Sequence, residues 1–288
     1  MSDRFPLPPY QWPAPFRSCA IVSVNLEGEA PVAWRNRGQV LHALGDLERH
    51  RFGPRAGIWR ILDLLAETSS KASFFVSGLV ADSYPGIVPA IAARGHEVAL
   101  HGWHHEQVNE ISYNGNETVL ARAIGLLHAQ SGARPLGYRA PGGDITVVGH
   151  ELLRAAGLLY NSTLQGLEHP YGFAGLVEVP TCILTEDATH FDPGPGIPPV
   201  SPDAVLATWL DAFDAQREAG GLFHLTIRPW LSGSAPRIRL LRALFRHMAQ
   251  AQDVWWTTAA QVASWHAASP NAETHAVTLE ALDTNVVV

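Results

Sequence analysis

The chain has 288 residues, 47 % apolar and 16 % charged. That suffices for one large domain or two small ones around a closed core, and is too apolar for a disordered chain. A net charge of −7 and an isoelectric point near 6.0 supply no basic face for nucleic acid. No run approaches the ~20 apolar residues of a membrane span. The start, MSDRFPLPPYQWPAPF, lacks the apolar stretch of a signal peptide, so a cytoplasmic protein without a membrane partner is expected. Cys19 and Cys182, the two cysteines, sit in apolar strand-like runs and read as buried free thiols.

Residues 1–17 carry five prolines and read as an extended arm. SCAIVSVNL at 18–26 suits a buried strand. After a stretch of uncertain form, Arg55–Glu67 places Ile58, Ile61, Leu62 and Leu65 on one helical face. Ala72–Val76 is a second strand, Gly86–Arg94 a helix stopped by Gly95, and Glu97–His101 a third strand. Thr118–Ser131 is helical, Pro135–Arg139 a short strand, Thr146–Ala156 a helix and Leu176–Leu184 strand-like. Asp203–Glu218 repeats apolar residues at helical spacing behind a Ser201 or Asp203 cap. Leu222–Ile227, Ile238–Ala251, Val254–Thr257 and Ala259–His266 continue as strand, helix, strand and helix, and 267–288 reads as a weakly ordered tail.

Buried strands alternating with helices imply an α/β fold with parallel pairing and helices outside. An open doubly wound sheet and a closed barrel both satisfy that pattern. The first strand has no glycine-rich phosphate loop after it. A barrel gathers functional side chains at the C-terminal ends of its strands. Asn25 and Glu27, His101 to His105, Arg139 and Arg228 fall there.

His101-Gly-Trp-His-His105 is the sharpest local signal. On a helical turn, histidines four apart face one side and can share a metal, while His104 points away. The same pair would also serve as ordinary polar residues at a strand-to-helix junction. Glu27 follows a buried strand, where a carboxylate needs a partner or a metal. Two imidazoles and one carboxylate leave a position open for water, as hydrolytic zinc sites require. Tyr138-Arg-Ala-Pro-Gly-Gly143 sets the fixed fork of Arg139 beside a turn through which backbone can approach closely. His224, Thr226 and Arg228 alternate onto one face of a strand, and Trp230 comes next as an apolar wall. Glu186, Asp187 and His190 lie after another strand end and are further pocket candidates.

In order, Asn25-Leu-Glu27, His101-Gly-Trp-His-His105, Arg139-Ala-Pro-Gly-Gly143, Leu159-Tyr-Asn-Ser-Thr163 and Thr226-Ile-Arg-Pro-Trp-Leu-Ser-Gly233 resemble the motifs of the polysaccharide deacetylase superfamily, the NodB-homology fold. The likeness spans about residues 18–266, between the arm and the tail. Arg55-Ala-Gly-Ile-Trp-Arg60, the Asn-x-Glu triplet and the early arm look closest to the intracellular branch of peptidoglycan-deacetylase-like proteins and allantoinases. The resemblance implies a distorted (β/α) barrel, a tetramer or other homo-oligomer, and a divalent ion, zinc for preference, held by Glu27, His101 and His105. It also implies hydrolysis of an amide by metal-bound water, here in a small-molecule substrate.

Three positions depart from the family pattern, one of them Glu27, which replaces the metal-binding aspartate of the family's Asp-x-Asp motif. Asn25 stands where the family has its general base, and Arg228 where it has the histidine that acts as general acid; neither shuttles protons at neutral pH. Asn25, Glu27, Arg139 and Arg228 are therefore the expected catalytic set, with His104, Glu186 or Asp187 as substitutes for the missing base. Trp103, His104, Pro141, Gly142, Asp187 and Trp230 are expected to bind substrate. A silent ligand-binding or scaffold protein on the same barrel, or an allantoinase-like hydrolase working without metal, are the alternatives.

Overall fold

The computed structural model describes residues 6–40 and 44–278. Its strands are β1 (Ser18–Leu26), β2 (Ser73–Val76), β3 (Glu97–Leu100), β4 (Gly137–Tyr138), β5 (Tyr160–Asn161), β6 (Tyr171–Phe173), β7 (Leu176–Glu178), β8 (Leu222–Ile227), β9 (Val254–Thr257) and β10 (Ala276–Val277). The helices between β1 and β4 are α1 (Ala30–Arg35), α2 (Gly45–Phe52), α3 (Ile58–Glu67), α4 (Gly78–Ser83), α5 (Ile87–Ala93) and α6 (Tyr113–Ser131). The later helices are α7 (Val147–Ala155), α8 (Asp187–Phe191), α9 (Pro202–Ala219), α10 (Pro229–Ser232), α11 (Ala235–Met248), α12 (Ala259–Ala268) and α13 (Asn271–Thr274).

The sheet runs β10-β6-β7-β5-β4-β3-β2-β1-β8, parallel except for the β6–β7 pair. Strand β1 is long enough to serve three neighbours. Its Cys19–Val24 stretch pairs with β8, Ser18–Ile21 with β9 and Ser23–Leu26 with β2. Because the β8 register overlaps both others, β9 and β2 share the opposite edge in succession. The sheet curls into the expected distorted barrel. Between its ends the chain after β7 closes the gap, through a parallel bridge from Glu186 to Thr226 and a hydrogen bond from Thr185 Oγ1 to the His224 carbonyl.

Strand alternation sorts the side chains. Ala20, Val22, Val24 and Leu26 of β1 face the outer helices with Phe74, Ile58 and Leu62. Cys19 and Ile21 face inward with Phe75, Ala99 and Tyr160, an apolar plug at the bottom of the barrel. Above it the inward positions turn polar at Ser23, Asn25, His224 and Thr226, all buried.

Several elements differ from expectation for identifiable reasons. The Arg55–Glu67 helix is preceded by α2 and a π-helical turn at Gly53–Gly57, so the chain enters α3 without a break. Helix α6 begins at Tyr113 because Ser112 Oγ accepts from the Gly115 N–H, 3.2 Å. Strand β7 stops at Glu178; Pro180, which has no N–H, cannot continue the ladder, and its carbonyl accepts from His224 Nδ1, 2.7 Å. Residues 267–278 are docked rather than loose. Asn271 is buried against Gln11, His275 bonds the Pro8 carbonyl at 2.9 Å, and β10 pairs with β6. Trp12 of the arm donates to the Gly220 carbonyl, 2.8 Å, beneath the barrel. Residues 279–288 of the expected tail lie outside the described residues. Both cysteines are free, Cys19 buried and Cys182 only partly so.

Candidate metal centre

The strand ends converge on one cavity of about 310 Å³, lined among others by Asn25, Glu27, His101, His105, Arg139, Gly142, Arg228 and Trp230. Glu27, His101 and His105 form its floor. Their ligand atoms lie within 4.8 Å of one another, and Glu27 and His101 are buried. Glu27 Oε1 is 3.5 Å from His101 Nε2 and 3.7 Å from His105 Nε2.

The two histidines do not meet on a helical turn, as the spacing suggested. The segment after β3 is an irregular turn, with Gly102 and His105 both at φ of 63°. That left-handed conformation is costly for histidine and needs support from its surroundings. Glu106 supplies it: its carboxylate accepts from the backbone N–H groups of Trp103 at 2.8 Å and His104 at 2.6 Å. A Cβ at Gly102 would stand 2.7 Å from that same carboxylate, so glycine is required there.

His101 is held in an orientation that would let it ligate a metal. Its Nδ1–H donates to the Arg139 carbonyl, 2.8 Å, which leaves Nε2 with its lone pair, buried and without a hydrogen-bond partner. Burial pushes its pKa down, so the ring is neutral. Burial also opposes the charge on Glu27, but the Arg228 guanidinium outweighs it and the carboxyl is held well below the usual carboxylate range. This donor set suits a divalent ion. Ligand atoms at ~2.0–2.2 Å from a tetrahedral zinc stand about 3.4 Å apart, close to the two His–Glu separations and longer than a hydrogen bond.

Two arginines frame the floor. Arg139 is buried and spends its guanidinium on neutral acceptors: Ser162 O and Oγ, Ser23 Oγ, Asn25 Oδ1, Thr226 Oγ1 and His224 Nε2. Burial lowers its pKa to about 10, still charged at neutral pH. It therefore does not meet a substrate anion; it orients Asn25. With Oδ1 held 2.9 Å from Arg139 Nη1, the Asn25 amide turns its NH₂ donor toward the cavity. Arg228 bridges three carboxylates, with Nε 3.1 Å from Glu27, Nη2 2.5 Å from Glu186 and Nη1 3.0 Å from Asp187.

The remaining predicted residues divide. Gly142 and Trp230 line the cavity. Asp187 does not: it is fully buried beneath Arg228, whose backbone N–H and Nη1 it accepts together with Ser232 Oγ, and burial raises its pKa to about 6. Trp103 is buried with the Arg122 guanidinium 3.5 Å over its ring, packed against Gly78. His104 is exposed, Pro141 is tucked beside Gly102, and His190 bonds the Leu184 carbonyl at 2.8 Å; none lines the cavity. Sequence reasoning missed Arg35, Arg49 and His50 from α1 and α2, which complete the mouth. The only signal there was the i, i+4 spacing of Asp46 and His50, too common to single out.

Comparison with known proteins agrees with this geometry. The sequence model of the polysaccharide deacetylase family matches residues 52–160, covering both histidines and Arg139 but neither Glu27 nor Arg228. A peptidoglycan deacetylase-like protein of Gibberella zeae is 26 % identical over 257 residues, 74 % of this chain and 76 % of that one. The crystal structure of a Mycobacterium smegmatis protein assigned as a polysaccharide deacetylase superposes with a TM-score of 0.85 at 29 % identity, over 95 % of this chain and 98 % of that one. In sequence over residues 52–160, and in fold, the chain is similar to polysaccharide deacetylases. The PuuE allantoinase shares its fold, with a TM-score of 0.81 at 22 % identity over 91 % of this chain and 95 % of that one.

Proposed function

We propose that the protein is a metal-dependent hydrolase of an amide, N-acyl or cyclic imide bond in a small molecule, with zinc held by Glu27, His101 and His105. The observation that carries this reading is the buried, unpartnered Nε2 of His101, aimed at a carboxylate too far away to be its hydrogen-bond partner. Bound there, a divalent ion would act as a Lewis acid on the substrate and activate water. The chain's own residues do the rest. Asn25 presents its amide N–H to the substrate carbonyl oxygen, where negative charge develops during attack. Arg139 keeps that amide from flipping. Arg228 holds Glu27 ionised, and Trp230 supplies the apolar wall against which a small acyl group or ring rests. A cavity of about 310 Å³ lies at the lower end of small-ligand sites.

A specific observation favours a second reading, a metal-independent ring hydrolase. Arg228 Nε already lies 3.1 Å from Glu27 Oε1 and neutralises the carboxylate that would hold the ion. One experiment separates the two. Purified protein is analysed for metal, then assayed on small N-acetyl, N-formyl and cyclic-imide compounds before and after chelation. Stoichiometric zinc lost in Glu27→Ala and His105→Ala, with activity abolished by chelator and restored by zinc, is the expected result. Full activity in metal-free protein overturns it in favour of the ring hydrolase. No turnover above a His101→Ala control makes the barrel a binding protein.

A further inference from the structure

Expelling an amine from an amide needs a proton on the leaving nitrogen, because an amide anion is too basic to depart. The groups around the cavity that could carry it are nearly all committed. Glu27 and Glu186 are paired with Arg228, Asp192 with Arg49 at 3.2 Å, and His101 and His105 face Glu27. Arg139 and Arg228 do not titrate in the useful range.

His50 is different. It sits on α2 with its side chain only 4 % exposed, yet its ring forms part of the cavity wall, 4.3 Å from the Trp230 ring. Its Nδ1 is 2.8 Å from the Asp46 carbonyl and 3.3 Å from Asp46 Oδ1. A carbonyl can only accept, so Nδ1 carries the hydrogen and Nε2 is the nitrogen left bare for the cavity. Asp46 is itself fixed, by Arg35 at 2.5 Å and Arg49 at 3.1 Å. An imidazole in the cavity wall, with Nδ1 held by the Asp46 carbonyl, the Asp46 carboxylate beside it and Nε2 left to act, has the parts of a proton-transfer group.

We propose that His50 is the general base and acid of this site, an assignment that rests on the amide-hydrolase reading above. Nε2 takes a proton from the attacking water as its oxygen bonds to the substrate carbonyl carbon. When the C–N bond breaks, the electron pair stays on nitrogen and Nε2 returns the proton there. The acid so formed gives its remaining proton to solvent, and His50 ends neutral.

The test uses two acetyl probes that differ in their need for this proton. Departure of 4-nitroaniline from 4-nitroacetanilide requires it; departure of 4-nitrophenolate from 4-nitrophenyl acetate does not. His50→Gln should lower kcat on the anilide roughly 10²-fold or more and on the ester less than tenfold, with zinc content unchanged. Added imidazole should restore part of the anilide activity of His50→Ala. Nitrogen-15 NMR of the wild-type protein should show His50 protonated at Nδ1 and bare at Nε2. Equal losses on both probes, no loss on either, or the opposite tautomer overturns the assignment alone. A wild-type protein inactive on both probes overturns the hydrolase reading and this assignment with it.

Discussion

The substitution Gly57→Ala sets two sizeable effects against each other. Gly57 ends the π-helical turn at φ −60° and ψ −45°, ordinary helical values, and at such a position alanine is favoured over glycine by about 1 kcal/mol. Packing says the opposite. A Cβ at Gly57 would stand 2.0 Å from the Pro229 carbonyl oxygen and 2.8 Å from its carbon. A Cβ at Gly53, one turn earlier, would stand 3.1 Å from the Trp230 backbone nitrogen, so the pair forms the seat on which α10 rests. The obstacle is backbone and cannot swing aside as a side chain would, which puts the cost at the upper end of overpacking, about 3 kcal/mol. Net destabilisation of about 2 kcal/mol, or a Tm lower by roughly 3 °C for a chain of this length, is expected. Because Arg228 immediately precedes α10, zinc affinity should fall as well. Gly125→Ala on the exposed face of α6 is the control: a Cβ there meets nothing within 4 Å, and Tm should rise by a degree or more through the same helix propensity of about 1 kcal/mol. Thermal unfolding of both variants decides the matter. A Gly57→Ala protein as stable as wild type would refute the claim that the Gly53–Gly57 seat positions α10.

Glu106→Ala removes both carboxylate acceptors from the turn between the metal histidines while touching neither ring. Zinc affinity, measured by competition with a chromogenic chelator, should weaken at least tenfold, a loss comparable to that of other outer-sphere supports, with the far-ultraviolet spectrum unchanged; wild-type affinity would show that the turn holds itself. His224 bears on acid stability. Burial and Arg139 push its pKa down to about 3, whereas an unfolded histidine takes its proton near ~6.5. Between those values the unfolded state binds the extra proton, so this residue's contribution is complete above pH ~6.5 and is lost on acidification at about 1.4 kcal/mol per pH unit. In urea unfolding at pH 6.5, 5.5 and 4.5, His224→Gln should show a stability slope shallower by about that amount, and an unchanged slope would rule out a proton-free His224 in the folded state.

Much of the barrel was legible because it rests on patterns that survive without tertiary knowledge. The β-branched run of β1 and the 3.6-residue spacing in α3 and α9 each fix an element almost alone. The parts that escaped have tertiary causes. The two-residue strand β5 exists because β4 and β7 supply partners, and α13 and β10 because the N-terminal arm is there to receive them. Neither partnership leaves a local signature.

For the site, residue types were legible and roles were not. Arg139 and Arg228 are both arginines at strand ends, yet one spends every donor on neutral acceptors and the other bridges three carboxylates. The difference sets the charge of the site. Around the floor, Arg228 alone meets Glu27, Glu186 and Asp187 while Arg139 lies behind on neutral partners, so three carboxylates stand against two guanidinium groups, an excess of one negative charge. A titrating histidine at position 228 could release these acids by losing its proton; an arginine cannot, so the positive charge at position 228 stays fixed across ordinary pH. Asn25 fits the same logic. An aspartate there would accept from Arg139 equally well but would add a second negative charge beside Glu27, whereas the neutral amide keeps a donor facing the substrate. The floor thus keeps a fixed cation at position 228 and presents hydrogen bonds. Proton traffic is displaced to the wall, where α2 brings His50 against Trp230.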